Sequence, residues 1–187
     1  MKSLRLMSLV VLMSLCTVAF AQHDAQQSVA QSDAQRAFDQ LKTLAGTWQG
    51  KPTADPPVKD MGNVSMQITM RVTSRGNALV HEMQEAGTPL DATKYDHPVT
   101  MLYVDSDRLN LIHYCDAGNR PHMVGKLSPD GKKVEFDFVD LSGGNGYGHM
   151  YHAVFTFIDA NHHMEDWTYM MPGDHLMNGH FDLQRTQ

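Results

Sequence analysis

From Asn63 to Thr73 the chain alternates strictly: Val64, Met66, Ile68, Met70 and Val72 each stand between polar neighbours. A period of two places all five apolar side chains on one face of an extended strand and the polar ones on the other. Runs of the same kind follow at residues 78–85, 99–105, 108–116, 120–127, 133–139, 149–159, 162–171 and 175–185. With residues 47–51 they make ten candidate strands. The breaks between them are hairpin-sized: Ser106-Asp107, Ala117-Gly118, Pro129-Asp130-Gly131, Ala160-Asn161 and Pro172-Gly173. Strands joined this closely lie antiparallel and side by side. The expected fold class is all-β: an up-and-down antiparallel β-barrel of about ten strands, which leaves no edge unpaired. A two-sheet sandwich is its rival.

Ahead of the strands, Ala37, Phe38, Leu41 and Leu44 fall at helical spacing and predict one short N-terminal helix. Residues 51–62, with Pro52, Pro56 and Pro57, read as a loop. Residues 22–36 are rich in Gln, Ser, Ala and Asp and read as a disordered leader. Lys2 and Arg5, the apolar run from Leu6 to Phe20 and Ala19-Phe20-Ala21 before Gln22 have the form of a cleaved signal peptide over 1–21. The apolar run is shorter than the ~20 residues a spanning helix needs, so no membrane span is expected. Cys16 is a poor lipidation site because Leu15 stands where a small residue is wanted. The reading is a periplasmic or secreted protein with a single domain over 37–187. Once the signal is gone Cys115 stands alone, so there is no internal disulfide and the apolar core must hold the fold. Fifteen Lys and Arg against 21 Asp and Glu give a formal charge of −6, which offers nucleic acid no basic footprint.

Leu44-Ala45-Gly46-Thr47-Trp48-Gln49-Gly50, after a short helix and opening the first strand, resembles the Gly-x-Trp signature of calycin proteins, the lipocalins and fatty-acid-binding proteins. In lipocalins that Trp closes the barrel floor against an Arg of the last strand, and Phe181-x-Leu183-x-Arg185 supplies an Arg at the matching place. The stretch from His113 to Met123, H-Y-C-D-A-G-N-R-P-H-M, is similar to a motif of exported, uncharacterised bacterial proteins with lipocalin-like barrels. That resemblance implies a fold and no activity. The Tyr-Pro element expected early in nitrobindin-type haem barrels is missing, so haem binding is not carried over. If the barrel closes, the Arg185 guanidinium is expected on or beside the Trp48 indole, within about 6 Å of the ring centre. The opposite end is then the ligand entrance.

Hairpin register nominates the interior. A two-residue turn at Ser106-Asp107 pairs Leu102 with Leu111 and puts His113 and Cys115 on the same face. A second at Ala117-Gly118 pairs His113 with His122 and Cys115 with Arg120, gathering two imidazoles and a thiol. Turns at Ala160-Asn161 and Pro172-Gly173 place Tyr151, Phe155, Asp166 and Phe181 inside, with Glu165, Trp167 and Tyr169 outside. Asp166 is then an interior acid that needs a partner. One conflict stands: Val134, Phe136 and Phe138 register with Met123 and Gly125, not with His122. Either a bulge intervenes or the His113 face is not the interior. The candidate ligand-binding residues are His81, Met83, His113, Cys115, His122, Tyr151 and Asp166, with Trp48 and Arg185 as the barrel floor.

These residues support an exported, non-enzymatic barrel that binds a small, mainly apolar molecule in a concave and sparsely polar interior, without a cofactor. One alternative is a metal- or haem-binding protein using His113, Cys115 and His122, although a structural zinc site wants four ligands. Eleven His and 14 Met raise copper, but strand neighbours such as His149 and Met150 point to opposite faces. The other alternative is a hydrolase- or isomerase-type enzyme with acid/base groups in the cavity. Neither Gly-x-Ser-x-Gly nor His-Glu-x-x-His occurs, and the Gly-rich residues 141–148 lack the Lys-Ser/Thr ending of a phosphate loop.

Overall fold

The Ser32 side chain accepts a hydrogen bond from the Gln35 backbone N–H and so caps helix α1 (Asp33–Lys42). The structure, a computed structural model, describes residues 30–186; the expected signal peptide over 1–21 and residues 22–29 of the expected leader lie outside them. The helix starts earlier than its apolar spacing indicated and takes in Asp33–Arg36 from that leader. Ala34 is buried along with Ala37, Phe38 and Leu41, so the cap and the apolar stripe together extend the helix.

The strands are β1 (Gly46–Gly50), β2 (Pro52–Asp55), β3 (Met66–Thr73), β4 (Ala78–Glu85), β5 (Val99–Asp105), β6 (Arg108–Tyr114), β7 (Arg120–Leu127), β8 (Lys133–Ser142), β9 (His149–Asp159), β10 (His162–Met171) and β11 (His175–Arg185). From β3 onward each pairs antiparallel with the next, and β1 pairs with both β3 and β11 to close the ring. β1 and β2 run along β11 as two halves of one stave, so the molecule is a closed ten-strand up-and-down barrel. β2 corrects the expected loop at 51–62. It pairs only with β11, so Pro52 sits where one side of the strand has no ladder to fill. Ser106 and Asp107 both adopt positive φ, as a two-residue turn of matching twist requires, and Asp105 pairs with Arg108 as expected.

Helix α1 lies across one end of the barrel. Its first residues adjoin Asp107 and Arg108, and its last turn adjoins Lys132, Ala160 and Arg185. Phe38 and Leu41 join Trp48, Ile68, Leu79, Leu102, Leu109, Leu111, Phe136, Phe155 and Leu183 in one core. Among the described residues Cys115 is free and no disulfide occurs, so this core, at roughly 1.5–3 kcal/mol for each large apolar side chain buried, is their main stabiliser.

Two register shifts overturn the expected faces of β7 and β10, and a third, at Tyr151 in β9, leaves that residue unpaired. The Cys115–Asn119 connection is five residues long, not a two-residue turn at Ala117-Gly118, so Ile112, not His113, pairs with His122. That one-residue slip sends His122 to the outer face while His113 stays inside. It also resolves the conflict over Phe136 and Phe138, which register with Gly125 and Met123 on the interior side. In the second case His162 pairs with Asp159 but His163 pairs with Phe157, leaving Ile158 as an extra residue. The bulge inverts β10. Glu165 and Trp167 point inward, and Asp166 points out.

Candidate functional site

The floor is built around Trp48. Its indole N–H donates to the Leu44 carbonyl at 2.8 Å, and the Arg185 guanidinium lies 4.0 Å from the ring centre. Arg185 also donates to the carbonyls of Ala160, Ala45 and Thr43 at 2.8, 2.7 and 3.0 Å. It therefore fastens the helix exit to the β9–β10 turn, where a cation also suits the carbonyl-rich helix C-terminus. On another side the His163 ring meets Trp48 edge-on, with centroids 4.2 Å apart.

From His163 a polar network runs up the interior. His163 Nε2 and His81 Nε2 lie 3.0 and 2.9 Å from the two carboxylate oxygens of Glu165, and Trp167 Nε1–H donates to one of them at 2.9 Å. Glu165 is fully buried and His81 only 1% exposed. Burial by itself would raise the Glu165 carboxyl. The His81 charge and the hydrogen bonds from His163 and His81 outweigh it and hold the group below its ordinary value. His113, 3% exposed, shares a 2.8 Å hydrogen bond with Thr100 through Nδ1. Burial, helped by the His81 charge, pushes His113 down to about 3, so its ring is neutral near neutral pH. Both His81 and His113 pack on Trp167, with ring centroids 5.5 and 5.7 Å away. Among the described residues five ring nitrogens are buried with no hydrogen-bond partner: His81 Nδ1, His113 Nε2 and His163 Nδ1 here, and His97 Nε2 and His149 Nδ1 elsewhere.

Strand direction places His81, His113 and Trp167 beyond the floor, toward the end opposite α1. There Met66, Met83, Phe138 and Met150 pack on the core while remaining only partly buried. Leu90, Tyr95, Tyr114, Tyr147, Met171 and Leu176 are exposed on the loops and strand ends of that same end. The Gly-rich connection after β8 is anchored there. Asn119 donates to the carbonyls of Gly144 and Gly148, and the Tyr169 hydroxyl donates to the Tyr147 carbonyl.

Of the expected ligand-binding residues, the structure brings His81, Met83 and His113 to the interior and separates the others. Cys115 lies in the β6–β7 connection, beside a surface hollow of about 480 Å³ shared with Tyr95, Asp96, His97 and Tyr114. Burial pushes its thiol up, and the charges of Asp96 and Asp116 add to this against a backbone N–H from Ala117, the reverse of what a nucleophile needs. His122 is outside, hydrogen-bonded to Asn110 and Asp140. Tyr151 is 39% exposed and stacks on Phe138 and His149. Asp166 is not an interior acid: it pairs with His180 at 2.6 Å on the outer face. His113, Cys115 and His122 thus form no common patch. Glu135, Asp137 and His152 form a group able to bring three ligand atoms within 4.8 Å, but it sits on the outer face, where Lys126 already bridges the two acids.

Glu165, Trp167, His163 and Thr100 were missed as site residues. Thr100 was recoverable, because Ser106-Asp107 pairs it with His113. Glu165 and Trp167 became interior only through the bulge at Ile158, although an outward-facing Trp and Tyr on β10 was already a sign that the assigned face was wrong.

The molecule is thus a closed β-barrel with a helix-covered, Arg-locked floor and a buried His–Glu–His–Trp network. Its fold is shared with Rv2717c from M. tuberculosis, which matches 81% of this chain and 98% of its own at 16% identity and a TM-score of 0.58. A protein of unknown function from the DUF3598 family of Nostoc punctiforme PCC 73102 matches 78% of this chain and 49% of its own, at 9% identity and a TM-score of 0.49. The likeness to Rv2717c, at 16% identity, is one of fold. No family model and no curated protein matches the chain.

Proposed function

We propose that this chain is an exported, non-enzymatic barrel that binds a small, mainly apolar molecule in its interior. The observation that carries this reading is the pair of unpartnered nitrogens, His81 Nδ1 and His113 Nε2, buried beside Trp167 in the half of the barrel away from its floor. Buried polar atoms are nearly always satisfied, and two facing one aromatic wall fit the sparse polar contacts of a small-molecule site. The methionines beyond them supply a soft apolar surface that adapts to an irregular ligand. Export is part of the proposal and rests on the residues ahead of Gln22.

Native mass spectrometry of protein purified from its own host tests the reading. The expected result is a population heavier than the bare chain that loses a small molecule on unfolding. Bare mass throughout, together with no saturable uptake of apolar probes, would overturn it.

A further inference from the structure

Glu165 already accepts from both Nε2 atoms and from the Trp167 indole. With Nε2 donating to Glu165, His81 turns Nδ1 to the interior, an acceptor when the ring is neutral and a donor when it is charged. His113 is equally versatile. Its Nδ1 partner is a hydroxyl, and the Thr100 O–H both donates and accepts, so His113 Nε2 takes either role. The wall beside Trp167 therefore offers two nitrogens whose partner must be able both to donate and to accept. A hydroxyl is the small group that does both. A carboxylate only accepts, and it would bring a second anion beside buried Glu165.

We infer that the interior selects a neutral, hydroxyl-bearing apolar molecule, an aliphatic or polycyclic alcohol, over a carboxylic acid of the same size. The inference rests on the interior-binding reading and names the ligand class for that site. His81 and His113 hold the hydroxyl, and the apolar body runs toward Met66, Met83, Phe138 and Met150. Trp167 reports the event directly, since it touches both imidazoles.

The test titrates the full mature chain at pH 8 with decan-1-ol, decanoate and decane, reading intrinsic tryptophan fluorescence. Decanol is expected to bind saturably and at least about tenfold more tightly than decanoate, the ratio lost with one buried polar partner. His113→Phe keeps a ring in place but removes Nε2, and is expected to bring decanol down to the level of decane. Thr100→Val, a smaller change, is expected to weaken decanol in the same direction. Decanoate binding as tightly as decanol would overturn the alcohol assignment and leave interior binding standing, and this comparison uses only the native chain. Decanol binding unchanged in both variants would overturn the His81–His113 anchor. A flat response to all three probes would overturn the interior-binding reading itself, and the inference with it.

Discussion

Trp167 and Glu165 stand two residues apart on β10, and the indole N–H of the first donates to a carboxylate oxygen of the second at 2.9 Å inside the barrel. Residues at i and i+2 share a face, so whichever way the strand faces, both go together. Turned inward, the pair gives His81 and His163 an anion to bind. Turned outward, it would take His163 with it, leave a large indole in solvent and strip buried His81 of its partner.

Replacing Glu165 tests that network. Glu165→Leu leaves the N–H groups of His81, His163 and Trp167 buried and unsatisfied, and is expected to cost about 3–5 kcal/mol in urea unfolding. Glu165→Gln keeps a carbonyl acceptor and is expected to lose less, about 1–3 kcal/mol. Equal losses would mean that packing, and not the hydrogen bonds, sets the cost.

The floor makes a separate prediction. Arg185→Ala removes three hydrogen bonds to carbonyls and the contact with Trp48, and is expected to cost about 2–4 kcal/mol. Lysine cannot reach three carbonyls with a planar fork, so Arg185→Lys should restore less than half of the loss. A change within ~0.5 kcal/mol for Arg185→Ala, as for an ordinary surface site, would show that the floor does not depend on this residue.

Stability should fall with acid, and His113 fixes where the fall begins. Its ring stays neutral in the folded chain down to about 3 but takes up a proton from 6.5 downward when unfolded. The unfolded state therefore binds more protons, and the stabilisation present above 6.5 is lost as pH falls toward 3, at up to about 1.4 kcal/mol per pH unit. Glu165, held below its ordinary value of 4.5, adds a loss of the same sign below that pH. Urea midpoints between pH 7.5 and 4.5 are expected to fall less steeply for His113→Phe than for the native chain. Parallel curves would count against the assignment.

Asn119 carries a local prediction. Its amide ties down Gly144 and Gly148, so Asn119→Ala is expected to speed hydrogen exchange at residues 142–148 by about tenfold while lowering global stability by only ~1 kcal/mol. Exchange spreading through β8 and β9 would make Asn119 part of the global fold.

Export is checked by N-terminal sequencing of the protein from its host, which is expected to begin at Gln22. A chain retaining Met1 in the soluble cell fraction would remove that part of the proposal.

The alternation from Val64 to Val72, the hairpin-sized breaks and the pairing of Trp48 with Arg185 were all open to reading in the chain, because strand period, turn chemistry and strand order are local or follow from short connections. Which side chains face inward was not. That depends on register, and register turns on single residues: Ile158, which bulges out of β9, and the five-residue connection from Cys115 to Asn119 where a two-residue turn was expected. Neither carries a local mark, since an isoleucine in a strand and an Ala-Gly pair in a turn look ordinary. Only the closed ring decides them. Every strand in it must satisfy two neighbours at once, and the alternative face would have buried Asp166 while exposing Trp167.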